Sequence, residues 1–187
     1  MTSNQDVESR IKALLVDPTS GKSNPARATN CLGTAAYILG YINTDYAIDP
    51  YDNLKEFLNR LKIIDLVWLE NPELHSLAVF ESENPFSFED YEAYFRRMEL
   101  FDEFGKRGRG PYEEFGAQHM TTYIRECLKP SIAHAGIITD LNPLKIVHRV
   151  GANGPIVHEG FENGAPKSYK VKPSGFLGNP KHSQQHI

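Results

Sequence analysis

Three side chains in this sequence have the types and spacing for nucleophilic chemistry: Cys31, His134 and His148. Cys31 heads the run Thr29-Asn30-Cys31-Leu32-Gly33-Thr34-Ala35-Ala36-Tyr37-Ile38-Leu39-Gly40, whose apolar spacing predicts a buried helix capped by Thr29 or Asn30. A thiol on a helix's first turn faces amide N–H groups without intrahelical acceptors and the positive end of the macrodipole. Both favour thiolate, so Cys31 is expected to react well below the ordinary thiol pKa of about 8.5.

A nucleophile of this kind needs a base. The segment Ile132-Ala133-His134-Ala135-Gly136-Ile137-Ile138-Thr139 and the segment Leu144-Lys145-Ile146-Val147-His148-Arg149-Val150 flank the turn formers Asp140, Asn142 and Pro143, which is a hairpin pattern. A hairpin symmetric about Leu141 sets His134 directly opposite His148, with Cβ atoms about 4.5–5.5 Å apart. One imidazole then takes the thiol proton while the second fixes its ring orientation and tautomer.

The rest of the chain supplies the elements that hold these groups. Its 187 residues, 40% hydrophobic and 24% charged, fit one globular domain. A net charge of −4 argues against nucleic acid or an anionic membrane as partner, because phosphate binding calls for an excess of Lys and Arg. Two cysteines without a C-x-x-C pair suggest neither a disulfide framework nor a zinc site, and no metal or cofactor is expected. Gly21-Lys22-Ser23 is no phosphate loop, because Val16 stands where the earlier glycine is required. No signal peptide or apolar span is visible, so the default expectation is a cytoplasmic protein.

In chain order, Val7, Ile11, Leu14 and Leu15 predict a first helix, and a loop from Asp17 to Ala28 leads to Cys31. A helix is expected over Tyr51–Lys62, and strands over Ile63–Leu69, which could instead continue that helix, and Ser76–Glu81. A capping box at Ser87–Asp90 opens a helix whose aromatic stripe, Tyr91, Tyr94, Phe95, Met98 and Phe101, reads as core. The basic loop Gly105–Pro111 leads to a further helix over Tyr112–Leu128. Strands are expected over Ile156–Glu159 and Ser168–Val171, and a flexible tail over 176–187.

Asn30-Cys31-Leu32-Gly33 opening a helix, with His134-Ala135-Gly136-Ile137 and Val147-His148-Arg149 on later strands, resembles the NlpC/P60 superfamily of papain-like cysteine peptidases and amidases. The resemblance implies an α/β (α+β) fold with the nucleophile helix packed on an antiparallel sheet, in one hydrolase domain over 1–175 that carries a helical insertion at about 85–130. It implies Cys31 as nucleophile, His134 as general base and His148 as the residue that orients it. The expected substrate is a peptide or other amide, such as a cell-wall peptide or related conjugate, cleaved through a thioester. Asn30 and Leu32 replace the family's aspartate and serine, which makes them the expected substrate-binding positions. A catalytically silent binding or immunity-type module, or an acyltransferase using the same trio, are the alternatives on this fold.

Overall fold

The computed structural model describes residues 3–48, 57–59, 61–82, 87–97 and 106–179. The chain divides into two compact units, one of residues 1–81 with 132–187 and one of residues 82–131.

In the first unit, α1 (Asn4–Val16) starts at a capping box in which the Ser3 side chain and the Asp6 carboxylate each satisfy the other residue's backbone N–H. It buries Val7, Ile11 and Leu14, whereas Leu15 stays exposed. Helix α2 (Cys31–Ile38) is capped by Asn30 and buries all eight of its residues. Of the expected Tyr51–Lys62 helix, residues 57–59 are helical and residues 51–56 and 60 lie outside the described residues.

The sheet is antiparallel, with seven strands: β1 (Val67–Leu69), β2 (Leu77–Ser82), β3 (Ser131–Leu141), β4 (Leu144–Arg149), β5 (Ile156–Glu162), β6 (Ala165–Pro166) and β7 (Gly175–Gly178). Their order across it is β1-β7-β2-β3-β4-β5-β6. Leu77, Val79, Ala135, Ile137, Val147 and Leu177 join the cluster formed with α1 and α2, while Ala78, Phe80, Ile138 and Ile146 form a second cluster. The period-2 alternation thus gives the central strands two apolar faces. Each fully buried Leu or Ile contributes about 1.5–3 kcal/mol of burial free energy.

The structure corrects several expectations here. Strand β1 is confined to three residues of the expected seven. Ser168–Val171 is a turn followed by irregular chain rather than a strand, and Gly175–Gly178, at the start of the expected tail, is β7, inserted between β1 and β2. Gly175 is required there because the Trp68 ring lies where a Cβ would go. Gly33 similarly gives room to the carbonyl of Tyr46.

The second unit contains α3 (Phe88–Arg97), α4 (Pro111–Phe115) and α5 (Ala117–Cys127). Ser87 and Asp90 cap α3 reciprocally. The aromatic stripe does not make this helix a core element: none of its described residues is buried, and Tyr94 is 59% exposed. Met98 and Phe101 lie outside the described residues. The expected Tyr112–Leu128 helix is two helices, because Gly116 at φ 79° breaks the ladder, a conformation that favours glycine. No helix among the described residues is long and apolar enough to cross a membrane.

A buried ion pair joins α2 to the sheet. The Arg149 guanidinium donates to Asp45 Oδ2 at 2.8 Å, to Thr34 Oγ1 at 2.9 Å and to the carbonyl of Gly154 at 2.7 Å. Thr34 in turn donates to the Asp45 carboxylate. Burial pushes the Asp45 carboxyl up, against the pull of Arg149. Asp45→Ala would leave a buried, uncompensated guanidinium, and urea unfolding should show a loss of about 3–5 kcal/mol.

Candidate active site

Asn30 fixes the start of α2. Its Oδ1 accepts from the Gly33 amide at 2.9 Å and from the Ile48 amide at 3.2 Å, while its Nδ2 donates to the Ile48 carbonyl. The Thr34 amide is taken by the Asn30 carbonyl. The two remaining amides of the first turn, those of Cys31 and Leu32, face the Cys31 sulfur. Both positions expected to bind substrate therefore have structural tasks: the Asn30 side chain is spent on backbone partners, and that of Leu32, 0% exposed, is core.

The hairpin brings the two histidines together through a different register from the symmetric one. Gly136, not His134, pairs with His148, followed by Ile137 with Val147 and Ile138 with Ile146, and the register shifts beyond Ile138. A displacement of two residues preserves which face each side chain occupies, so His134 and His148 become diagonal neighbours. The missing side chain at Gly136 makes this possible, since a Cβ there would lie 2.6 Å from Ile146 Cδ1 and 2.9 Å from His148 Cβ. His134 Nε2 lies 2.7 Å from His148 Nδ1, with both residues buried.

The same register explains the position of the thiol. Ile138 gives its N–H to Ser76 of the β2 side, so by alternation the N–H of Ala135 points to the β4 side. Pairing with β4 stops at Gly136 and His148, and the Ala135 amide instead faces the Cys31 sulfur. The Cys31 helix thus begins where β3 and β4 part, one residue along from His134. No hydrogen bond joins Cys31 to His134 among the described residues, and burial raises the thiol pKa despite three surrounding amides. The expected depression is overturned because the loss of water outweighs the helix terminus.

Residues absent from the sequence reading complete the site. Tyr169 stacks on His134, ring centroids 4.1 Å apart at 23°, and Phe80 lies 5.2 Å away on centroids. Burial, and secondarily Cys31, push the Tyr169 phenol up. His148 Nε2 lies 2.9 Å from Glu159 Oε1. Burial acts to raise the Glu159 carboxyl, but hydrogen bonds from the Ser168 side chain and backbone and from His148 leave it lowered overall. His158, the neighbouring histidine on β5, contacts Thr139 instead, at 2.9 Å. Glu159 was within reach of the alternation rule, since β5 pairs Val157 with His148 and so puts residue 159, not 158, on that histidine's face. Tyr169 lies on an irregular turn and left no periodic signal.

No group of acidic, cysteine or histidine side chains among the described residues is arranged to hold a metal ion. No family model, curated protein or solved structure matches this chain.

Burial first, then His148, push the His134 pKa down to about 3, against a smaller opposing effect of Glu159. The unfolded chain therefore binds a proton at His134 that the folded chain refuses. This contribution is intact above about pH 6.5 and is lost as pH falls toward 3. Between about pH 6.5 and 5, urea-unfolding stability should fall with a His134 component approaching 1.4 kcal/mol per pH unit, and His134→Gln should flatten that slope. Gly136→Ala should cost about 1–3 kcal/mol in the same assay through overpacking against Ile146 and His148.

Proposed function

We propose that this protein is a cysteine hydrolase, a peptidase or amidase that attacks an amide carbonyl with Cys31, using His134 as general base and His148 to orient it. The observation that carries the reading is the buried His134–His148 hydrogen bond, set beside the strand amide that faces the Cys31 thiol. The papain-like NlpC/P60 resemblance of the sequence agrees with this arrangement.

Raised thiol and lowered imidazole pKa values favour a neutral resting pair over a thiolate–imidazolium pair. Proton transfer then accompanies attack: sulfur bonds to the carbonyl carbon, its proton passes to His134, and the carbonyl oxygen gains the charge. Collapse expels the amine with that proton and leaves a thioester, which water hydrolyses with His134 again as base. The first-turn amides of Cys31 and Leu32 are suited to the oxyanion. The substrate is a peptide or related amide, and an amine acceptor in place of water would make the same trio an acyltransferase.

The second reading, a silent binding module on this fold, is favoured by the low 9% exposure of Cys31 and its lack of a hydrogen bond to His134. Acylation by p-nitrophenyl acetate, followed by intact-mass and peptide mapping, separates the two. A thioester should accumulate at Cys31 faster than at Cys127, and His134→Ala should slow it by about 10²–10⁴-fold. Equal acylation of both cysteines, unchanged by His134→Ala, would overturn the enzyme reading.

A further inference from the structure

We infer that Glu159 is a positioning residue that sets the tautomer of His134 from two imidazoles away, extending the trio to the relay Cys31–His134–His148–Glu159. The inference rests on the hydrolase reading for its catalytic meaning, but the tautomers themselves do not require turnover.

An ionised carboxylate only accepts hydrogen bonds. Glu159 Oε1 lies 2.9 Å from His148 Nε2, and Ser168 donates to that oxygen from its amide at 2.9 Å and its hydroxyl at 2.6 Å. His148 Nε2 must therefore carry a proton, which in a neutral ring leaves a lone pair on Nδ1. That lone pair faces His134 Nε2 at 2.7 Å, so this nitrogen must be the donor. His134 Nδ1 is then left with the lone pair, the form required of a base. The opposite tautomers would aim the Nε2 lone pair of His148 at the carboxylate.

Charge follows the same path. When His134 Nδ1 takes the thiol proton as sulfur bonds to the carbonyl carbon, the ring becomes an imidazolium. Passing the Nε2 proton to His148 Nδ1 moves the positive charge next to Glu159 and creates no new ion. Nearby cations have other partners, Lys167 with Glu162 and Lys145 with Asp140. Ser168 also anchors the turn that lays Tyr169 on His134, so Glu159 and His134 are held by consecutive residues.

The test uses the full chain and two readouts. Nitrogen-15 correlation spectra of the histidine rings near pH 7 should show Nε2-protonated tautomers for both His134 and His148. Glu159→Leu should mix or reverse them and slow p-nitrophenyl acetate acylation of Cys31 by about a hundredfold. Glu159→Gln keeps an accepting oxygen and loses the charge, so it should retain the tautomers with a smaller loss of rate, and Glu159→Asp should recover part of it. A folded Glu159→Leu or Glu159→Gln variant suffices for the comparison. Unchanged tautomers and rate in Glu159→Leu, or Nδ1-protonated rings in the parent protein, would overturn the relay. Tautomers that shift as stated while Cys31 acylates no faster than Cys127 would uphold the relay and defeat the hydrolase reading.

Discussion

The arrangement of this unit depends on one buried charge pair. Arg149 follows His148 on β4, and its guanidinium holds Asp45 and the hydroxyl of Thr34, one turn into the helix that Cys31 begins. Taking both charges out of water is expensive, and the pair is tolerated because nearly every donor in the fork has an acceptor. Its geometric effect is specific: the strand bearing one histidine and the helix bearing the thiol cannot slide without breaking it. The Gly154 and Pro18 carbonyls bring two loops to the same guanidinium. A hydrophobic cluster would hold these elements together with less directional preference.

Around that fixed point the site is assembled from unpaired positions. The helix offers amides that its own ladder cannot use, and the hairpin offers the Ala135 amide where β4 stops pairing. The thiol lies where the two meet. Burial then works against ionisation at both ends, raising Cys31 and lowering His134, so the resting state carries its charge at Glu159 rather than between sulfur and nitrogen.

Much of this was legible from residue order because the controlling signals are local. The Asn30 cap, the apolar run behind Cys31 and the alternation around His134 each require only neighbours in sequence. The face shared by the two histidines was readable for the same reason. The exact register was not, because the steric space beside Gly136 and the irregularity past Ile138 decide it in three dimensions. The thiol's raised pKa was equally hidden, since burial is a property of the assembled core. The described part of the aromatic stripe of α3 is only half-covered, Phe95 meeting Tyr123 while Tyr94 faces out; periodicity reports that a helix has an apolar face, not how deeply it is covered. No motif marked Gly175–Gly178 as a strand, in a stretch whose composition reads as tail.

That last strand has a consequence for how the chain reaches its native form. Among the described residues β1 pairs with β7, and β7 also pairs with β2, so a strand late in the sequence separates two early ones. The hairpins of β3, β4 and β5 close short loops and can form quickly, whereas this insertion joins segments far apart in the chain and must wait for a large loss of entropy. During synthesis on a ribosome, the β1–β7 pairing must wait for β7 to emerge, and the half-exposed Trp68 of β1 lacks the cover of that strand for the interval.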